Sequence, residues 1–229
     1  MWDKEQAWLD YYHKFSHSYD ESNYVSPLQS FAMHASHKIA ETAFDKDDYF
    51  ERVLEIGAGT GEHLRFVQHG FGEYIVTDQN PRAISVAKEK ISVFRTEKIG
   101  FSVQSGKKLA FPDNSFDRII AAHVLEHIYY PHIALQEWCR VLRKGGVLTI
   151  VLPTDPGIAW RLGRRFGPRK AAIERGVAYD FVMAREHVNS CHNLVAILRH
   201  YFPCRRERWW PFPFGSFDLN LFFSCNIEN

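Results

Sequence analysis

The feature that most limits the fold is Val53-Leu54-Glu55-Ile56-Gly57-Ala58-Gly59-Thr60-Gly61, an apolar run that ends in three alternating glycines. Glycine there permits a tight turn and lets a ligand approach the backbone closely. From Arg52 onward, short apolar runs alternate with helical patterns. The spacing predicts strands over 52–56, 74–77, 101–104, 116–122 and 147–152. It predicts helices over 61–69, from the Asn80 cap and Pro81 to 94, and over 131–142, the last closed by Gly145. Such alternation means βαβ units, hence a parallel sheet with right-handed crossovers.

Upstream, Ser26-Pro27-Leu28-Gln29 reads as a capped helix start, with Leu28, Phe31, Ala35 and Ile39 as its inner face. Residues 153–186, rich in Gly, Pro and Arg, interrupt the alternation as an insertion. A helix over 187–201 follows, with Leu194, Ile197 and Leu198 inward. Strand-like runs around 204–210 and 218–227 come last. The expected organisation is one domain. It comprises an N-terminal helical lid (1–50), a ligand-binding core (51–152), an acceptor-side insertion (153–186) and a C-terminal helix with a strand pair (187–229).

At 229 residues the chain buries enough surface to need no disulfides. Four cysteines without metal-ligand spacing read as reduced packing residues. A net charge of +1 argues against a nucleic-acid partner. No apolar run reaches the ~18 residues a membrane span needs, and the first residues lack the pattern of a secretory signal, so the expected location is cytoplasmic. Residues 160–229 hold 11 Lys/Arg against 6 Asp/Glu, which predicts an anionic partner or a solvated basic face.

The dinucleotide pattern requires a third glycine at position 62, where Glu62 stands. A carboxylate there repels a pyrophosphate, and Glu55 adds a second negative charge. The loop suits a phosphate-free cationic ligand, and S-adenosylmethionine fits. Asp78, 17 residues after Gly61, can accept from both ribose hydroxyls of an adenosyl group.

Three further segments are Thr77-Asp78-Gln79-Asn80-Pro81, Leu109 to Asp117, and His123-Val124-Leu125-Glu126-His127. With the glycine loop and Arg140 to Gly146, they resemble the successive motifs of class I S-adenosylmethionine-dependent methyltransferases of the small-molecule type. The resemblance covers about residues 50 to 152. It implies a doubly wound, mainly parallel seven-stranded Rossmann-like α/β sheet whose last strand is antiparallel, the C-terminal runs supplying the final pair. It implies that Glu55, Gly57 and Gly59, with Ala58 and Gly61 completing the loop, hold the methionine portion. Asp78 would take the ribose and Gln79 would lie beside the adenine. Ser105, Gly106 and Lys107 would meet the adenine edge, where an Asp is common in place of Ser105. Ala121, Ala122 and His123 would border the methionine amino group.

A hydroxyl acceptor needs a general base near its proton. His123, following the fourth strand, is the first candidate, with His127 beside it; packing or capping is the competing reading of both. Tyr11 and Tyr19 belong to an aromatic N-terminal stretch whose rings could face a sulfonium. No metal set is expected: His34 and His37 share a helix face without a carboxylate at ligand spacing. Arg164 and Arg165, with Arg185 and His187, are candidates for an anionic acceptor such as a phosphate-bearing sugar or headgroup, or for contact with a membrane surface. The expected reaction is methyl transfer to oxygen or nitrogen of such a small molecule. The alternatives are a protein or nucleic-acid acceptor, or a non-catalytic S-adenosylmethionine-binding subunit.

Overall fold

A computed structural model describes residues 27–92, 97–166, 168–174 and 176–229. In chain order the elements are α1 (Pro27–Glu41), β1 (Tyr49–Ile56), a 3-10 turn (His63–Phe66), β2 (Gly70–Asp78), α2 (Pro81–Ser92) and β3 (Ile99–Val103). Then come β4 (Phe116–Ala122), a second 3-10 turn (Leu125–His127), α3 (Pro131–Val141) and β5 (Leu142–Pro153). Helices α4 (Ile158–Phe166), α5 (Pro168–Glu174), α6 (Tyr179–Glu186) and α7 (Cys191–Tyr201) precede β6 (Arg205–Trp210) and β7 (Phe222–Glu228). The seven strands form one sheet in the order β3-β2-β1-β4-β5-β7-β6. β1 to β5 pair in parallel, and β7 runs antiparallel to both neighbours. The expected fold class is therefore the observed one.

Alternation along the strands sends side chains to two cores. Leu54, Ile56, Ile119, Leu148 and Ile150 pack with Trp138 of α3 and Leu194 and Leu198 of α7. Val53, Tyr74, Val76 and Ile120 pack with Ile84, Ala87 and Ile91 of α2. Asn80 caps α2 as expected, its Oδ1 accepting from Arg82 N–H at 3.0 Å.

Several boundaries differ from the sequence reading. The helix expected over 61–69 is only the turn His63–Phe66, because β2 begins early, at Gly70. Gly72 makes that start possible: a Cβ there would come within 2.7 Å of the Glu51 carbonyl oxygen on β1. Gly145 does not close α3. That helix passes directly into extended Leu142, and pairing with β4 shifts register between Phe116↔Leu142 and Arg118↔Val147. Gly145 (φ 75°) sits in the resulting bulge, bonded to Asn229. On α1, Phe31 is exposed and the buried face includes Ser36, His37, Ala40 and Glu41. The cap of α7 is Ser190, which accepts from Asn193 N–H, and His187 lies in the linker before it. The expected cap Ser26 and residues 1–25 lie outside the described residues.

Candidate active site

Strand order reverses between β1 and β4, so the crevice beyond their carboxyl ends is where an open α/β sheet receives ligands. The glycine turn leaves β1 at this point. Gly57, Gly59 and Gly61 all have positive φ, at 65°, 55° and 80°. A Cβ on Gly57 would lie 2.5 Å from Val124 Cγ2, and one on Gly61 2.7 Å from Ile91 Cδ1, whereas one on Gly59 would meet nothing within 4 Å. Packing thus dictates the outer glycines, and the middle one leaves an open cradle. Asp78 fastens the turn: Oδ2 accepts from Gly59 N–H at 2.9 Å and Oδ1 from Asn80 N–H at 2.8 Å. A carboxylate offers about four lone-pair sites, so acceptor capacity remains for a ligand.

The other cofactor candidates fall around this turn in different states. Glu55 is buried, with Oε2 accepting from the Tyr74 hydroxyl at 2.7 Å. Burial pushes its carboxyl above the usual range, against the opposing pull of His63 and Tyr74. The carboxylate that the resemblance gives to the methionine portion is therefore engaged inside the protein. Glu62 is bridged to Arg65 and Lys90 at 3.2 and 3.5 Å. Gln79, Ser105 and Lys107 are exposed, with Ser105 Oγ accepting from Lys107 N–H at 3.3 Å, while the Gly106 carbonyl accepts from Trp138 Nε1 at 2.7 Å.

His123, one residue past β4, has φ 59°, a conformation that costs a non-glycine residue on the order of 1–3 kcal/mol. Its N–H is held by the Val151 carbonyl at 3.0 Å. The Ser36 hydroxyl donates to the Met33 carbonyl at 2.7 Å, so at 2.8 Å its oxygen accepts from His123 Nε2–H. This leaves Nδ1 toward Glu126 Oε1, 3.7 Å away. Glu126 is itself buried. Burial alone would raise its carboxyl, but His123 and His127 outweigh that and hold it below the usual range. The 3-10 turn that carries Glu126 is no helix cap, so the capping reading does not hold.

A second buried chain underlies the crevice. Arg118, fully buried on β4, makes two hydrogen bonds to Glu41 at 2.7 and 2.9 Å. Glu41 accepts from His63 Nε2 at 2.8 Å, and His63 Nδ1 meets His37 Nδ1 at 3.0 Å. Burial would raise the Glu41 carboxyl, but these donors lower it to about 2. Burial, then His63, drives His37 well below its ordinary value, keeping it neutral. The sequence reading gave no role to Glu41, His63 or Arg118 and weighed His37 only beside His34. The available signal was Arg118 within the apolar strand Phe-Asp-Arg-Ile-Ile-Ala-Ala, because a buried charge requires a partner.

Comparison with known proteins joins this geometry to a family. Residues 54–150 match a family model described as a methyltransferase domain. Over this core the chain is similar to methyltransferase domains, as the sequence resemblance implies. Relatives named ubiquinone/menaquinone biosynthesis C-methyltransferase UbiE include one from Francisella philomiragia, 32% identical over 67% of this chain and 62% of its own length. One from Coxiella burnetii is 30% identical over 57% of this chain and 50% of its own. The chain thus spans half to about three-fifths of these curated relatives. The fold is shared with a carbon methyltransferase, CurJ, at TM-score 0.58 and 19% identity, covering 84% of this chain and 54% of that one. It is shared too with a SAM-dependent methyltransferase from Aquifex aeolicus at TM-score 0.52 and 19% identity, covering 77% and 81%.

Beside the methyltransferase core, the insertion forms α4 to α6. Arg164 donates to Asp155 at 2.9 Å and to the Tyr179 hydroxyl at 3.1 Å, so it docks the insertion to the end of β5. Arg169 pairs with Asp180 at 2.7 Å. The Arg185 guanidinium lies over the Phe181 ring at 5.8 Å, on α6 rather than at a cap of α7. Arg161 and Arg165 are exposed and line, with Ile158 and Leu162, a cleft of about 720 Å³. His187 donates from Nδ1 to the same Asp155 oxygen that Arg164 binds, at 2.9 Å. Tyr11 and Tyr19, with the rest of the aromatic N-terminal stretch, lie outside the described residues. No helix among the described residues is long and apolar enough to cross a membrane.

Proposed function

We propose that this protein transfers a methyl group from S-adenosylmethionine to a ring carbon of a small quinone-type acceptor at the crevice beyond β1 and β4. The observation that carries the donor part is the glycine turn fastened by Asp78, with the face of Gly59 left open. The open face over Gly59 and the spare lone pairs of Asp78 fit a neutral ribose beside a cationic methionine group. When bound, the donor supplies an electrophilic methyl on a sulfonium. Carbon is favoured over the oxygen or nitrogen expected from sequence because the relatives carry the name C-methyltransferase. The pairing of Arg164 with Asp155 also removes one cation from the expected phosphate contact. The acceptor is the reduced, hydroxyl-bearing quinone: its ring carbon becomes nucleophilic when a neighbouring hydroxyl loses its proton. The carbon–methyl bond would form as the methyl–sulfur bond breaks to leave S-adenosylhomocysteine, and the ring C–H proton would pass back to that oxygen to restore the aromatic ring. His123 can take the hydroxyl proton at Nδ1, where the Glu126 carboxylate stabilises the imidazolium.

Calorimetry with S-adenosylhomocysteine tests the donor site. The wild-type chain binds, and Asp78→Ala weakens binding at least tenfold. No heat from correctly folded wild-type protein overturns the donor assignment. Labelled methyl transfer to reduced quinones, sugar phosphates and lipid headgroups then tests the acceptor. A carbon-linked methyl, lost in His123→Asn without a change in S-adenosylhomocysteine affinity, is the expected result. A methyl on oxygen or nitrogen overturns the carbon assignment. Binding with no product from any acceptor favours a non-catalytic subunit.

A further inference from the structure

We propose that Glu126, His127 and His187 form a binding site for one divalent transition-metal ion, with zinc the natural occupant. One ligand atom from each side chain lies within 4.8 Å of the others. Among the described residues this is the one such grouping of three. The residues come from separate elements, the turn after β4 and the linker before α7. They are held together by Asn189, whose backbone N–H donates to the Glu126 carbonyl at 3.1 Å and whose Nδ2 donates to the Ile128 carbonyl at 2.6 Å.

The hydrogen bonding around the cluster has the form a metal requires. A histidine that binds a metal through one ring nitrogen donates the other N–H to a carbonyl or carboxylate, which fixes its tautomer and orientation. His127 Nδ1 donates to the Glu186 carbonyl at 2.8 Å. His187 Nδ1 donates to Asp155 at 2.9 Å. Each imidazole therefore carries its lone pair on Nε2, and His127 Nε2 lies 3.9 Å from Glu126 Oε1. The two rings meet edge to face with centroids 5.0 Å apart.

Glu126 supplies an independent observation. It is 2% exposed, and its Oε2 has no hydrogen-bond partner among the described residues. An unpartnered buried carboxylate oxygen is costly, and a cation would satisfy it. Two imidazole nitrogens and one carboxylate oxygen suit zinc or a neighbouring transition ion, not magnesium or calcium, which favour all-oxygen shells. Three protein ligands leave positions for water or an acceptor oxygen. Sequence spacing concealed the set because His187 is distant in the chain and joins the other two only through the fold.

The test uses the full chain stripped of metal with chelator. Cobalt(II) is titrated in and followed by its visible d–d absorption, and zinc is titrated by calorimetry. One equivalent of each is expected to bind, with zinc displacing cobalt. Glu126→Gln and His187→Ala are each expected to weaken zinc binding tenfold or more, with circular dichroism confirming the fold. If Glu126→Gln does not fold, His187→Ala carries the comparison, its side chain lying in a linker outside the sheet. Binding of zinc with equal affinity by wild type and folded His187→Ala overturns the proposal, as does the absence of a one-equivalent site in wild type. S-adenosylhomocysteine calorimetry on the same samples keeps the donor site separate. Loss of metal binding in these variants with retained S-adenosylhomocysteine binding supports this site. An absent metal site in wild type that still binds S-adenosylhomocysteine overturns it while leaving the donor site standing.

Discussion

Gly57 and Gly59 share a left-handed backbone yet answer to different constraints. Gly57→Ala places a methyl 2.5 Å from Val124, so thermal unfolding should reveal a loss of about 1–3 kcal/mol from strain and contact together. Gly59→Ala meets nothing within 4 Å, so it should cost only the conformational part, about 1 kcal/mol, while S-adenosylhomocysteine affinity falls at least tenfold. Equal affinity in Gly59→Ala and wild type would remove the ligand role of that position. Glu41 is governed by burial instead. Glu41→Ala leaves Arg118 and His63 without their acceptor and should lower stability by about 3–5 kcal/mol in denaturant titration. The paired change Glu41→Leu with Arg118→Met should recover part of that loss, because it removes both charges and leaves only His63 without its acceptor.

Among elements, α7 offers the cleanest measurement. Ser190→Ala removes its cap and should cost about 1 kcal/mol, read as a lower melting temperature with S-adenosylhomocysteine binding intact. Much of this level was legible in advance. β4 was placed to the residue because Phe116 and the run Ile119 to Ala122 are apolar and the turn-forming segment Pro112 to Ser115 precedes them. α2 was placed because Asn80-Pro81 supplies both its cap and its fixed first φ. The early start of β2 was not legible, since Gly70 and Gly72 read as turn residues until β1 lies against them. The bulge at 143–146 was hidden similarly, because a glycine after a helical run has the same local pattern whether it ends a helix or bends a strand. The glycine turn and Asp78 were readable from spacing. The partners of Glu41, Arg118 and His187 were not, because each pair spans at least 22 residues and is fixed only by which strands become neighbours.

At the scale of the whole molecule, the low Glu41 carboxyl ties stability to acidity. Its carboxyl stands at about 2 in the folded protein against an ordinary 4.5, so it binds a proton more readily when unfolded. The stabilisation, on the order of 3 kcal/mol, is fully present above about pH 4.5 and lost as pH falls toward 2. Arg118 and His63 face this carboxylate, and His37 lies beyond His63. The stability difference between wild type and Glu41→Gln should therefore be largest near neutral pH and shrink through that acidic window in urea titrations at stepped pH. A difference unchanged from pH 7 to pH 3 would contradict the assignment. A different kind of linkage runs through Asp155. One of its oxygens answers to two claimants, Arg164 from the inserted helices and His187 from the segment that meets the crevice. Drawing either away strengthens the hold of the carboxylate on the other, so the two regions are reciprocal. A variant that retunes the arginine side to accept a new molecule will also reset the imidazole, and the two properties cannot be varied one at a time.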